Sequence, residues 1–234
     1  MNDSLKSLWS KEYQRKGIPS SFRQDPTQVL VNFIKWVQSK GLQSGLAADL
    51  GCGKGRNSFY LAKEGLTVVC LDLLQENADS MNAEAKKRDV PVKAYAQDAS
   101  QEWPIETQSL DIAIDVFCYK HIVNKEAQRR YRKQLSRTLK SSGYYFISLA
   151  SDKDGFYGPL LESSPDLDQK LIIDPISEIP SFLYSLDALV REFSDDFILV
   201  EAQETTSSSP MYGKDYSRSV LNCIFQKKNK KEFF

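Results

Sequence analysis

A short apolar run, Leu46-Ala47-Ala48-Asp49-Leu50, stops in three alternate glycines, Gly51, Gly53 and Gly55, and the chain then passes straight into a segment of helical character. Glycine lets a chain turn through positive φ and lets backbone approach a ligand closely. The rest of the chain repeats this passage from strand to helix. Runs at Leu46–Leu50, Thr67–Leu71, Val92–Ala96, Leu110–Val116 and Tyr144–Leu149 are short, apolar and mostly β-branched or aromatic, as strands buried on both faces should be. Amphipathic segments at Asn57–Lys63, Gln75–Arg88 and Lys125–Lys140 lie between them as crossovers. Pro26–Lys40 precedes them all, with Val29, Leu30, Phe33, Trp36 and Val37 on one face. The pattern predicts an α/β fold, a doubly wound and mostly parallel sheet.

Beyond Leu149 the rhythm changes. Residues 150–184 are rich in Asp, Glu, Ser and Pro, with Phe156, Leu160, Leu161, Leu171, Ile172, Ile173 and Phe182 interspersed, and read as a long functional loop, a lid insertion. A helix over Leu186–Phe193, capped by Ser185, follows, then strands at Phe197–Ala202 and Val220–Gln226. Gln203 to Ser219 shows no helical pattern, so these last two of seven strands must be antiparallel neighbours. The connection should lie on the ligand side of the sheet, with Tyr212, Lys214, Tyr216 and Arg218. The tail 227–234 is basic and expected to fray.

At 234 residues one domain is expected over 1–234, with 1–24 as an amino-terminal segment on the substrate side. The 31 Lys and Arg residues balance 31 Asp and Glu, so no global field draws the chain to nucleic acid or an anionic membrane. Arg129, Arg130, Lys133, Arg137 and Lys140 line one face of a predicted helix and read as a solvated outer surface. Four scattered cysteines without a C-x-x-C pair, and His121 as the single histidine, argue against disulfides and zinc. With no apolar stretch near ~20 residues and no leader-like start, a cytoplasmic protein is expected.

The glycine spacing is neither G-x-G-x-x-G nor a phosphate loop. The second strand ends at Leu71-Asp72, where a carboxylate can accept ribose hydroxyls, and the third ends in Gln97-Asp98-Ala99, so acids converge on the crevice at the strand ends. Asp111 opens its strand at the other end and reads as structural. Together, D-L-G-C-G-K-G, Asp72, Gln97-Asp98-Ala99 and S-L-D-I-A-I-D-V-F resemble the class I S-adenosylmethionine-dependent methyltransferases, over roughly residues 25 to 226. Within that family the chain is similar to small-molecule enzymes of the tellurite-resistance and thiopurine branch, with Trp9 and Tyr13 in a W-x-x-x-Y pattern. The resemblance implies strand order 3-2-1-4-5-7-6 with an antiparallel last strand. It implies that S-adenosylmethionine is the cofactor, with Asp49, Gly51, Cys52, Gly53 and Gly55 around the methionine moiety. Asp72 and Leu73 then lie at the ribose, Asp98 and Ala99 at the adenine, and Asp115 and Phe117 at the reacting centre.

A sulfonium methyl is already electrophilic, so alignment and exclusion of water are the main requirements, and a base serves only a hydroxyl or protonated amine. His121, just past the fourth strand, is the candidate base, and Cys118 reads as a packing thiol. Asp115-Val116-Phe117-Cys118 lacks the Asn/Asp-Pro-Pro-Tyr and Pro-Cys signatures of nucleic-acid methylation. Trp9, Tyr13, Tyr216 and Arg218 are the candidate acceptor contacts. The expected partner is a small-molecule acceptor, with no nucleic acid or membrane, for a monomer or homodimer. The alternatives are a cofactor-binding protein without turnover, an RNA or protein methyltransferase, and a nucleotide-binding oxidoreductase, against which the glycine spacing speaks.

Overall fold

The computed structural model describes residues 2–229, with the side chains of residues 4–229. Seven strands form one sheet: β1 (Gly45–Leu50), β2 (Leu66–Asp72), β3 (Val92–Ala96), β4 (Leu110–Val116), β5 (Leu139–Ala150), β8 (Phe197–Met211) and β9 (Lys214–Lys227). Their order is β3-β2-β1-β4-β5-β9-β8, and β9 alone runs antiparallel to its neighbours. This is the expected order, with two more strands in the labels because β6 (Leu171–Ile173) and β7 (Pro180–Phe182) pair as a separate ribbon.

The sheet is covered on both faces. Helices α3 (Gln28–Ser39), α4 (Arg56–Lys63) and α5 (Gln75–Arg88) bury Phe33, Leu61 and Met81 against Ile112 and Ile114. On the other face α6 (Lys125–Thr138) and α7 (Leu186–Phe193) bury Tyr131, Leu135 and Phe193 against Ala113, Tyr145 and Phe225. Alternate β4 residues thus serve opposite cores, which explains an apolar run without polar alternation. Asn124 and Ser185 cap α6 and α7 by accepting from Ala127 N and Ala188 N. Asp111 lies at the opposite end from the crevice, where its carboxylate accepts from Leu46 N at 2.9 Å and Lys140 Nζ at 2.7 Å.

The amino-terminal segment, to which the sequence pattern assigns no secondary structure, forms helices α1 (Asn2–Arg15) and α2 (Pro19–Phe22). Three expectations are corrected. Gln203 to Ser219 is strand, apart from a two-residue turn at Tyr212 and Gly213, with φ of 52° and 78°. Positive φ at both central residues gives the tight hairpin turn whose twist matches its strands. Residues 150–184 are no bare loop: they carry the β6–β7 ribbon and a 3-10 turn over Gly158–Ser163, and they share a third apolar cluster of Ile18, Ala150, Tyr157, Ile172, Ile179, Leu183 and Met211. Lys227, expected in a frayed tail, is buried in β9 and donates to Leu139 O at 2.6 Å; residues 230–234 lie outside the described residues. The basic face of α6 is partly structural, since Arg130 donates to Ser100 O at 3.2 Å and Arg137 to Ile105 O at 2.8 Å and Trp103 O at 3.1 Å.

Candidate active site

The glycine turn sits at the carboxyl end of β1. Gly51 and Gly53 have φ of 73° and 56°, and Gly51 N and Cys52 N donate to Leu71 O at 2.8 and 3.0 Å, tying the turn to β2. A Cβ on Gly51 would lie 2.5 Å from Cys118 Cβ, and one on Gly53 would lie 2.4 Å from Tyr13 Oη, so both positions require glycine by conformation and by space. Beneath the turn, Asp49 is buried and accepts from Ser58 Oγ at 2.5 Å. Burial pushes its pKa up to about 7, although the Ser58 hydroxyl opposes the shift.

Asp72, at the end of β2, is nearly buried. Its Oδ2 accepts from Gly53 N at 2.8 Å, and its Oδ1 accepts from Leu74 N and Asn77 Nδ2, both at 3.0 Å. These donors hold the carboxylate rigidly across the glycine turn, while burial raises its pKa. With one donor on Oδ2, a lone pair there remains for one further hydroxyl. Asp98, after β3, accepts from Ser100 N at 2.8 Å. Both acids open on one cavity of about 280 Å³ with Gly51, Leu73, Ala99, Val116, Phe117, Cys118, His121, Ile122, Val123 and Asn124.

The cavity is roofed by α1. Leu5, Leu8, Trp9 and Tyr13 line it, from one face of a helix whose few apolar positions are too sparse to mark it by periodicity alone. Trp9 meets the His121 ring edge to face, with centroids 5.0 Å apart, and Tyr13 lies over the glycine turn with Lys54 Nζ 5.3 Å from its ring. Ser10 Oγ donates to Glu76 Oε1 at 2.9 Å, fastening α1 to α5. At the fourth strand end, Phe117 holds φ at 69°, an uncommon conformation for a bulky residue and one concentrated at functional sites. Asp115, fully buried behind it, accepts from Cys118 N at 2.9 Å, Tyr119 N at 3.0 Å and Tyr131 Oη at 2.7 Å. Burial lifts the Asp115 pKa to about 6 and pushes the Cys118 thiol well up, which suits a packing thiol rather than a nucleophile.

Of the sequence-derived site residues, Gly51, Asp72, Leu73, Asp98, Ala99, Phe117, Trp9, Tyr13 and His121 line this cavity together. Asp49, Cys52, Gly53, Gly55 and Asp115 shape the turn and the strand end from behind the lining; Cys52 Sγ packs 3.2 Å from Met81 Sδ, and Gly55 precedes α4 at φ 80°. Tyr216 and Arg218 lie elsewhere. Tyr216 packs on Phe156 at 5.0 Å, and the Arg218 Nε donates to Asp154 Oδ2 at 2.8 Å with both side chains buried. Sequence reasoning missed Leu5, Leu8, Asn77 and Pro180. Asn77 stands one helical turn into α5 and is identifiable only through its bond to Asp72.

Among the described residues, the charged groups on the cavity lining are Asp72 and Asp98. A cation-tolerant crevice with a free carboxylate lone pair, apolar flanks and glycines without Cβ atoms fits S-adenosylmethionine. No helix among the described residues is long and apolar enough to cross a membrane, and no cluster there could hold a metal ion.

Comparison with known proteins agrees with this geometry. Residues 47–143 match a family described as a methyltransferase domain. Over 126 residues the chain is 29% identical to the O-antigen chain terminator bifunctional methyltransferase/kinase WbdD of Escherichia coli, covering 53% of this chain and 18% of that protein. Over 101 residues it is 30% identical to the ubiquinone biosynthesis O-methyltransferase of Rickettsia akari, covering 43% of this chain and 38% of the relative. The chain thus spans well under half the length of these curated relatives. Among solved structures, 1,6-didemethyltoxoflavin-N1-methyltransferase of Burkholderia thailandensis, with its substrate and S-adenosylhomocysteine bound, superposes with a TM-score of 0.70 at 17% identity, over 96% of this chain and 88% of that one. An S-adenosylmethionine-dependent methyltransferase of Methanosarcina mazei superposes with a TM-score of 0.71 at 17% identity, over 82% and 97% of the two chains.

Proposed function

From the premise that residues 47–143 match a methyltransferase domain family and that the chain has the class I S-adenosylmethionine-dependent methyltransferase fold, we propose that this protein transfers a methyl group to a small-molecule acceptor. The observation that carries the reading is one cavity in which Gly51, Asp72 and Asp98 meet His121 and Trp9. When bound, S-adenosylmethionine supplies a methyl group already activated by its sulfonium. Asp72 Oδ2 would accept a ribose hydroxyl, and Asp98 and Ala99 would flank the adenine. The backbone at Gly51 and Gly53 would let the methionine moiety lie close to the turn. Trp9, Leu8 and Phe117 keep water from the reacting centre, which strengthens every remaining polar contact.

Acceptor chemistry follows from what the lining lacks. Arg218, a candidate for an anionic acceptor, is committed to Asp154 and away from the cavity, so the anionic class loses its support. His121 supports a hydroxyl or amine acceptor, because an imidazole on the lining can take the proton released on transfer. The related O- and N1-methyltransferases act on small molecules by their names, which is consistent with this reading. Calorimetric titration with S-adenosylmethionine and with NAD(H) tests the cofactor: saturable binding of the first alone is expected, and preference for NAD(H) would overturn the proposal. Methyl transfer is then measured on a panel of hydroxylated aromatic and amine metabolites. Binding without transfer to any class would point to a cofactor-binding protein without turnover, and transfer to RNA or protein alone would overturn the small-molecule acceptor.

A further inference from the structure

Lys120 is 1% exposed, yet none of the ion pairs among the described residues includes it. Its Nζ donates to Ser181 Oγ at 3.3 Å and otherwise faces aromatic rings, Tyr157 at 4.0 Å and Phe117 at 6.0 Å. A buried ammonium carries three donors and a large desolvation cost, so apolar packing would be served better by leucine or methionine. The same Ser181 Oγ lies 3.0 Å from His121 Nδ1, and Pro180 O lies 2.9 Å from that nitrogen. A carbonyl oxygen only accepts, so Nδ1 carries the ring proton and Nε2 of the neutral ring is a bare acceptor. Nε2 makes no hydrogen bond to any described residue, and the ring lines the cavity.

We propose that Lys120 is a positioning residue for His121: with Ser181 and Pro180 of β7 it fixes the imidazole as the neutral Nδ1–H tautomer, leaving Nε2 as the proton acceptor on the cavity. This rests on the reading of His121 as the base. Two donors, Lys120 Nζ and His121 Nδ1, converge on one serine oxygen, and the ammonium beside the ring opposes a second proton on it. The other groups around the pair are accounted for. Trp9 of α1 meets the ring without charge, and Cys118 on the same turn is a thiol whose pKa is held well above its ordinary value. Asp154 and Asp174 favour the charged form of Lys120, while burial and Arg218 oppose it and bring its pKa down to about 7. Burial first, and the Lys120 charge second, hold the His121 pKa well below its ordinary value. Because β7 belongs to the 150–184 segment, that segment supplies two of the groups that hold the base.

The chain holds a single histidine, so its imidazole gives one unambiguous set of ¹⁵N signals in the full-length protein. The wild-type spectrum, taken without cofactor or acceptor, should show Nδ1 protonated, Nε2 bare and a titration midpoint well below 6.5. Lys120→Met should raise that midpoint by on the order of one pH unit, Lys120→Arg should leave it low, and the acid limb of turnover should move by the same amount. Ser181→Ala, which keeps the lysine charge and the Pro180 carbonyl, should keep the Nδ1–H tautomer and the low midpoint, and Lys120→Gln serves if Lys120→Met does not fold. An Nε2–H tautomer in the wild type or in Ser181→Ala, or a midpoint unmoved in the neutral lysine variant, would overturn the proposal. These spectra do not depend on activity, so they stand apart from a failure of methyl transfer; transfer with an unmoved acid limb would remove the role of Lys120 and leave the proposed function intact.

Discussion

The strand ends and the cap above them, formed by α1 and residues 150–184, both bury charge, but in different ways. At the ends of β1, β2 and β4 the buried groups are acids, Asp49, Asp72 and Asp115, held by backbone N–H, hydroxyl and amide donors and by no ion pair among the described residues. The cap buries both signs and offsets them locally. Asp154 takes Arg218 Nε, Ser219 N and Tyr157 N; Asp174 takes Tyr212 Oη and Ser177 N; Glu12 takes Ile18 N at 2.6 Å. The cap's charges are already answered, so they serve architecture. The acids of the strand ends are raised in pKa by burial and enter no ion pair among the described residues, and Asp72, the one of the three on the crevice lining, marks where a ligand belongs.

The largest test of this contrast is Asp154→Ala, which strands a buried guanidinium. It should destabilise the protein by about 3–5 kcal/mol in denaturant titrations, and a loss below 1 kcal/mol would show that the cap's pairing is dispensable. Asp49→Asn should do the opposite at the strand end. With a native pKa of about 7 against about 3.9 for a free aspartate, Asp49 contributes stability that is full below about pH 4 and lost as pH rises through about 7. The amide should therefore stabilise the protein at pH 8 by on the order of 4 kcal/mol relative to pH 4. Melts at the two pH values check the sign, and an equal slope in both proteins would refute it.

His121→Asn should lower turnover by roughly 10²-fold with cofactor affinity unchanged. Because the His121 pKa is depressed, the wild-type rate should be flat at neutral pH and fall only in acid, a correction to the ordinary histidine limb between about pH 5.5 and 7.5. A mutant with the wild-type rate and profile would leave alignment alone as the catalytic device. Asp72→Asn should weaken S-adenosylmethionine binding by about 1.5–3 kcal/mol, the range for a charge-assisted hydrogen bond; calorimetry showing equal affinity in a folded mutant would remove Asp72 from the site. Smallest of all, Ser10→Ala removes an exposed bond to Glu76 and should change stability by about 1 kcal/mol or less. A larger loss would mean that α1 hangs on its surface bonds rather than on Trp9 and Tyr13.

The same division decides what could be read from the sequence. Strands β1 to β4, the glycine turn, Asp72 and Asp98 were legible because local spacing and burial on two faces produce them. Helix α1 was not, since Leu5, Leu8, Trp9 and Tyr13 are its few large apolar residues among Ser, Lys, Asn and Glu, and they are only partly covered, by the third apolar cluster on one side and the cavity on the other. The outer half of β8 carries Thr205 to Ser209, a polar run that reads as a connection because these positions have little to bury. Arg218 and Asp154 stand 64 positions apart and Tyr212 and Asp174 38, and no spacing rule links them.

The hairpin tip has a consequence for the order of assembly. Tyr212 N donates to Gly17 O at 2.9 Å, and the Tyr212 ring fills the place of a Cβ on Gly17. This contact ties the first helices to nearly the last strand, and pairings of such long sequence separation form late because the intervening chain must first be ordered. On the ribosome, the glycine turn and its acids would emerge and fold with β1 to β4 while α1 still lacked its anchor. The crevice should therefore stay open to solvent through most of synthesis and be roofed only when the β8–β9 turn arrives.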